Sequence, residues 1–352
     1  MTERRLSLEF ESIASLPEGV NEVRVVRDEL LNTYRVAKRL DLSMLDASVL
    51  PEASTLQSID HPNVVKVSSA ARVEGYDPTM DVIEIHTPFY SRGSITDALL
   101  RGESFVGPSA LAILQTSLRG LRELHMTHNV LHRDIKSGNI LLAEPPVHAL
   151  VADIGVAGKM DSRGFAPAVN NPTLYSPPEW KTGVLDIKAD LYSMGLVLRE
   201  LVGGRFDYGA YSREDVLNLL QQGSRALPED VLELPAWVPS RLRKIYRKAI
   251  AVDPTARYSS ARDMADALAK VRLPVWREVG PDSWTVQAED SSAARMHRVA
   301  AIRDSSGIRL SMTRQAGSSF RRVSGCPDRV APTLLHRDAA SFFDQVNSLV
   351  AT

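Results

Sequence analysis

Alternating apolar and polar positions in Glu22-Val23-Arg24-Val25-Val26 predict a β-strand. β-branched runs such as Asn63-Val64-Val65-Lys66-Val67 continue a strand-like texture from Leu6 to about Thr87. From Ser94 to Arg272 the period is mostly helical. Leu111-Ala112-Ile113-Leu114, followed by Leu118, Leu121 and Leu124, lays a leucine stripe along one helix face, and Ala189 to Leu201 is apolar nearly all round, which predicts a buried helix. A strand-rich region leading into a helical one predicts an α+β protein with a cleft between two lobes. After Leu273-Pro274 alternation returns in Ile308-Arg309-Leu310-Ser311-Met312, behind the turn Asp304-Ser305-Ser306-Gly307. The chain ends in an expected helix capped by Asp338, with Phe342, Val346 and Leu349 on one face. Residues 275–352 are therefore expected to form a small β-meander plus helix, behind a small lobe at 1–88 and a larger one at 89–274.

Composition narrows the class. The 352 residues are 44% hydrophobic and 24% charged, enough for more than one core. A formal net charge of −1 gives no global field toward nucleic acid or an acidic membrane, and no nucleic-acid partner is expected. The last 78 residues carry ten arginines against eight acids and no lysine. The single cysteine, Cys326, has no internal partner, which suits a reducing compartment. Met1 to Glu11 is charged and does not resemble a signal peptide. The apolar run Met194 to Leu198 is broken by Arg199 and Glu200, too short for a bilayer span. A cytoplasmic location without a membrane partner is expected.

The chemistry is concentrated in His132-Arg133-Asp134-Ile135-Lys136-Ser137-Gly138-Asn139, followed by apolar Ile140-Leu141-Leu142. Phosphoryl transfer needs a base that orients the attacking hydroxyl, and an amide oxygen on a metal a few residues away on the same rigid loop. Asp134 and Asn139 offer those groups at that spacing. The string resembles the catalytic loop of the eukaryotic-like protein kinase family, and the resemblance extends over about residues 10 to 272 in the family's order. It implies a bilobal protein kinase fold, ATP and Mg2+ as cofactors, and a protein substrate. Asp134 would be the catalytic base and Lys136 its neighbour typical of the serine/threonine branch. Asn139 would be a metal ligand, and Asp153 in Asp153-Ile154-Gly155 a second one.

In the small lobe, Tyr34-Arg35-Val36-Ala37-Lys38 resembles the family's third strand, which makes Lys38 the contact to the ATP phosphates. Glu52, in the run Glu52, Leu56, Ile59, His61-Pro62-Asn63, resembles the glutamate that anchors that lysine. Ser176-Pro177-Pro178-Glu179 resembles the Ala-Pro-Glu segment, with Arg257 as its arginine partner. Asp190 resembles the residue that ties down the catalytic-loop backbone.

Some positions depart from the family pattern. Where three glycines normally approach the phosphates, only Gly19 stands, in Leu16-Pro17-Glu18-Gly19-Val20. Weakened ATP binding is the expected consequence. Ile154 replaces the usual phenylalanine, Pro51 forces the helix bearing Glu52 to begin near Leu50, and Pro172 stands where a threonine is usual. Two further readings follow: a pseudokinase scaffold with weak ATP binding, and a regulatory kinase appended to a C-terminal module that binds a partner or a second copy of itself.

Overall fold

The computed structural model describes residues 11–15, 23–44, 57–76, 79, 81–105, 107–288 and 296–351. The N-terminal sheet is antiparallel, with strands β1 (Glu11–Ser15), β2 (Val23–Asp28), β3 (Thr33–Asp41), β4 (Ser69–Arg72) and β5 (Val82–Pro88) in the order β1-β2-β3-β5-β4. Burial does not alternate strictly along β2, since Val25 and Val26 are both inside.

The run Asn63–Val67 is not a strand, contrary to its β-branched texture. It threads between the two lobes, where Val64, Val65 and Val67 are all buried, and Val64 makes an isolated parallel bridge to Val151. Two-sided burial explains the run of valines without a ladder. Asn63 fixes its course by donating to the carbonyls of Val147 at 3.1 Å and Ala149 at 2.9 Å. Gly120 lies so close beneath that a Cβ there would stand 2.1 Å from the Asn63 carbonyl oxygen, which only glycine permits.

Helix α1 (Ile95–Leu100) opens with a capping box between Ser94 and Asp97. Helix α2 (Pro108–Met126) begins at a proline, the residue whose fixed φ and missing donor suit a first turn. Its leucine stripe is buried throughout, and Leu114, Leu118, Leu121 and Leu124 are 0% exposed. Three short strand pairs frame the central loops: β6 (Val130–Leu131) with β9 (Gly158–Lys159), β7 (Ile140–Leu142) with β8 (Ala149–Val151), and β10 (Ala166–Pro167) with β11 (Val184–Leu185). Helix α3 (Ile187–Gly203) is buried as its sequence predicts, but it starts ahead of Ala189 because Asp186 caps it, accepting from the Lys188 amide at 2.8 Å. Helices α4 (Arg213–Gln221), α5 (Glu229–Leu232), α6 (Ser240–Ala249) and α7 (Ala261–Leu268) complete the lobe.

The C-terminal sheet runs β12 (Val275–Gly280), β13 (Ser283–Gln287), β14 (His297–Asp304), β15 (Gly307–Ala316) and β16 (Ser319–Arg322), with β17 (Arg329–Ala331) pairing β15. The final helix, α8 (Arg337–Val350), covers its inner face. Its N-cap is His336, which accepts from the Asp338 amide, so Asp338 lies in the first turn and is not the cap. The buried face is Ala339, Phe342, Phe343, Val346 and Val350, whereas Leu349 is 41% exposed at the rim. The sheet and α8 dock on the helical lobe. Trp276 stacks on Trp237 with ring centroids 5.9 Å apart and meets Phe343 edge-on at 5.8 Å. The Trp276 indole donates to Asn347 at 2.8 Å, and the Asn347 amide donates to the Trp237 carbonyl at 2.9 Å. Among the described residues no helix is long and apolar enough to cross a membrane.

Candidate active site

The loop between β6 and β7 is held from below by one buried carboxylate. Asp190, in the first turn of α3, accepts from the His132 and Arg133 amides, each at 2.9 Å, and bonds His125 at 2.8 Å. Burial alone would raise the Asp190 pKa, but the bond from His125 and its charge, together with His132, outweigh it and hold the carboxyl below its ordinary 3.8. Arg133 can thereby occupy a left-handed backbone conformation, φ 66°, uncommon for a residue with a Cβ.

Above that anchor the polar residues of the loop interlock. Lys136 donates to the Asp134 carboxylate at 2.7 Å. The Asn139 amide nitrogen donates to the same carboxylate at 2.9 Å and to the Asp134 carbonyl at 2.8 Å. Both bonds use the NH2 group of Asn139, so neither occupies its amide oxygen. The short 3-10 turn Ser137–Asn139 supplies this geometry by bringing residue 139 back over residue 134.

Lys38 reaches the site from the other lobe. Pairing of β3 with β2 and β5 sets it opposite Val23 and Ile85. Its ammonium bonds both oxygens of the Asp153 carboxylate at 2.9 Å, which ties β3 to the loop after β8. Burial opposes the charge on Asp153, but Lys38 foremost, then Lys136 and His132, hold its pKa below the ordinary 3.8. Asp153 adopts φ 56°, and a Cβ on Gly155 would press to 3.1 Å from its Oδ1. Ile154, in the place of the usual phenylalanine, turns into the core and is 7% exposed.

These groups surround one cleft of about 480 Å³, within the usual range for small-ligand sites. Val36, Leu40, Ile85 and Leu141 supply apolar walls, and Lys38, Lys136, Asn139 and Asp153 a polar floor. Asp134 joins the floor through Lys136 and Asn139. Gly19 and Glu52 lie outside the described residues, as do Pro51 and Glu18. The oxygens of Asp153 and Asn139 are hard donors of the kind Mg2+ takes, and two protein ligands suffice for an ion that keeps waters and binds phosphates. The residues present fit that ion.

The segment that follows the cleft is also tied down. Arg133 donates to the Val156 carbonyl at 2.7 Å and the Pro167 carbonyl at 2.8 Å, and a Cβ on Gly158 would stand 2.6 Å from its guanidinium carbon. Glu179 and Arg257 form the two-pronged pair expected from sequence, both bonds 2.7 Å, with the Arg257 side chain 0% exposed.

Glu200 is a residue that the sequence reading did not assign to the site. It is 0% exposed on α3 and accepts from Ser137 Oγ, from the Tyr175 hydroxyl, from the Tyr208 hydroxyl at 2.6 Å and from the Phe206 amide at 3.0 Å. The signal available was an acid that, with Arg199, interrupts the apolar run Met194 to Leu201 of a buried helix.

Such an interlocked loop, paired lysine and carboxylate, and apolar-walled cleft between a sheet and a helical lobe are the arrangement of a phosphoryl-transfer site. The protein kinase domain model matches residues 23–269, and the chain belongs to that family. It is 27% identical over 255 residues to a probable serine/threonine-protein kinase of Clostridium perfringens, covering 71% of this chain and 34% of that protein. Serine/threonine-protein kinase PkaA of Streptomyces coelicolor is 27% identical over 264 residues, 73% of this chain and 44% of its own length. PrkC of Bacillus subtilis is 26% identical over 216 residues, 60% and 32%. The chain thus spans between about a third and under half of these curated relatives. Members of the family generally use ATP with Mg2+.

Proposed function

We propose that the chain is a serine/threonine protein kinase, transferring the γ-phosphate of ATP to hydroxyls of protein substrates, with 1–88 and 89–274 as its two lobes and 275–352 as an accessory unit. The observation that carries this reading is the convergence of Lys38 and Asp153 with Lys136, Asp134 and Asn139 at one cleft between the lobes. Asp134 accepts the proton of the substrate hydroxyl as its oxygen attacks the γ-phosphorus and ADP leaves. Lys136, already on the Asp134 carboxylate, restrains that base and sets a positive charge beside the transferred group. Lys38 exchanges its hold on Asp153 for the α- and β-phosphates. Mg2+, held by Asp153 and Asn139, would neutralise charge on the phosphates. The serine/threonine assignment rests on Lys136 and on the names of the relatives.

The test is labelled-phosphate transfer from ATP with magnesium, comparing the native chain with Asp134→Asn and Asp153→Asn. Asp134→Asn is expected to lower turnover by about 100-fold or more, the scale of a lost proton acceptor, and Asp153→Asn to abolish most of it by removing a metal ligand, with the fold retained by circular dichroism in both. Phosphoamino-acid analysis is expected to show serine or threonine. Unchanged turnover in both variants would refute the reading.

A further inference from the structure

The outward face of the C-terminal sheet carries a row of side chains that runs straight across five strands. Strand register sets Arg277 of β12 opposite Thr285 of β13, Thr285 opposite Arg298 of β14, Arg298 opposite Thr313 of β15, and Thr313 opposite Arg322 of β16. Their chain neighbours Trp276, Trp284, Val299 and Met312 are buried toward α8, so the pleat turns the row to the other face. All three arginines are exposed and the two threonines half-buried. No acid belongs to the row. Arg322 pairs with Asp328 at 3.0 Å, but its side chain is 82% exposed, and so open an ion pair exchanges readily for another anion. The middle arginine is restrained by the Phe320 ring, whose centroid lies 4.4 Å from its guanidinium carbon.

The spacing of the row selects a ligand. Adjacent strands stand about 4.8 Å apart, so arginines on alternate strands repeat about every 9.6 Å. A polyproline II peptide has three residues per turn and rises about 3.1 Å per residue, which brings every third side chain to one edge at about 9.3 Å. An extended β-strand would present same-face side chains at about 6.7 Å, out of step with the row. One guanidinium at each point matches one carboxylate in charge and in its two-pronged geometry. The threonine hydroxyls between them can meet the backbone groups that a polyproline II chain leaves unpaired.

We propose that this row docks an acidic segment of a partner protein in the polyproline II conformation, with Asp or Glu at every third position. The proposal rests on the sheet alone and not on the phosphotransfer reading. The probe is a fluorescent twelve-residue peptide of Glu-Pro-Pro repeats, set against one of identical composition with its glutamates in a block, both titrated into the full chain at low salt without ATP. The repeat peptide is expected to bind at least ten times more tightly. The triple substitution Arg277→Gln, Arg298→Gln, Arg322→Gln is expected to abolish that preference, with phosphotransfer to a neutral peptide unchanged. A control pair off the row, Arg303→Gln with Arg309→Gln, is expected to retain it. Equal binding of the two peptides, preference surviving the triple substitution, or its loss in the control pair would overturn the proposal. So would tighter binding of an oligouridylate or of a phosphoserine peptide with the same spacing. Because binding is read without nucleotide, its failure leaves the phosphotransfer reading standing.

Discussion

Glu200 is where the loop between β6 and β7, the segment before Glu179 and the loop after α3 meet, and replacing it separates two kinds of loss. In Glu200→Ala the hydroxyls of Ser137, Tyr175 and Tyr208 and the amide of Phe206 lose one shared acceptor that is itself 0% exposed. Hydrogen bonds to a charged group are worth about 1.5–3 kcal/mol each. Four of them do not add, because the Tyr175 and Tyr208 hydroxyls, 3.5 Å apart, can turn to each other. Removing one partner of a buried charged network costs about 3–5 kcal/mol, a large fraction of the roughly 5–15 kcal/mol that holds a domain together. Glu200→Gln is a milder change. The Phe206 amide can only donate, so the glutamine oxygen must face it, and the new NH2 then meets hydroxyls, which can rotate to accept. A loss of about 1–2 kcal/mol is expected there. Urea unfolding of both variants measures the difference, and turnover should fall with it because Ser137 sits between Lys136 and Asn139. If both variants unfold within about 1 kcal/mol of the native chain, the network is not what holds the loop.

Other consequences can be checked alongside. Burial, and then the Glu200 charge, push the Tyr208 pKa to about 12, so its contribution is intact below pH 10 and is lost as pH rises from 10 toward 12; an alkaline unfolding series should show that window shrink in Glu200→Gln. Arg133 already bonds the Val156 and Pro167 carbonyls, so Ser162→Ala should retain full turnover, and activity that appears only with phosphate on Ser162 would refute this. Trp276→Ala opens a cavity against Trp237 and Phe343 and strips Asn347 of its donor, a loss of about 3–5 kcal/mol by thermal or urea unfolding.

What could be read from the sequence was what lies close together along it. Asp134, Lys136 and Asn139 sit within six residues, so their chemistry and spacing were visible at once, and the structure brings them into direct contact. Alternation in Ile308–Met312 marked β15 because one face of that sheet is buried and the other is not. The same logic failed for Asn63–Val67, where burial on two sides mimics a strand. It also misplaced the cap of α8, because a histidine ring nitrogen took the role expected of an aspartate. Glu200 was beyond reach for another reason: its donors stand at 137, 175, 206 and 208, and only folding collects them. Gly19, on which ATP affinity was expected to turn, and Glu52, expected to anchor Lys38, lie outside the described residues.

The change of texture at Leu273-Pro274 is a change in sequence pattern and not a gap in packing. Trp276, Trp284, Val286, Leu310 and Phe343 belong to the same apolar cluster as Leu242 and Ile245 of α6. The Ser240 amide that opens α6 is received by Asp344 of α8 at 2.7 Å, so the C-terminal helix satisfies a donor that α6 cannot satisfy itself. The start of α2 is tied in as well, since a Cβ on Gly107 would stand 2.6 Å from the Pro274 carbonyl oxygen. A sheet held at this many points is fixed relative to the helical lobe, and so is the arginine row on its outer face. Any peptide docked on that row is then anchored in a constant orientation to the lobe that carries Asp134, which is the geometric condition for a docking surface to raise the local concentration of a substrate hydroxyl.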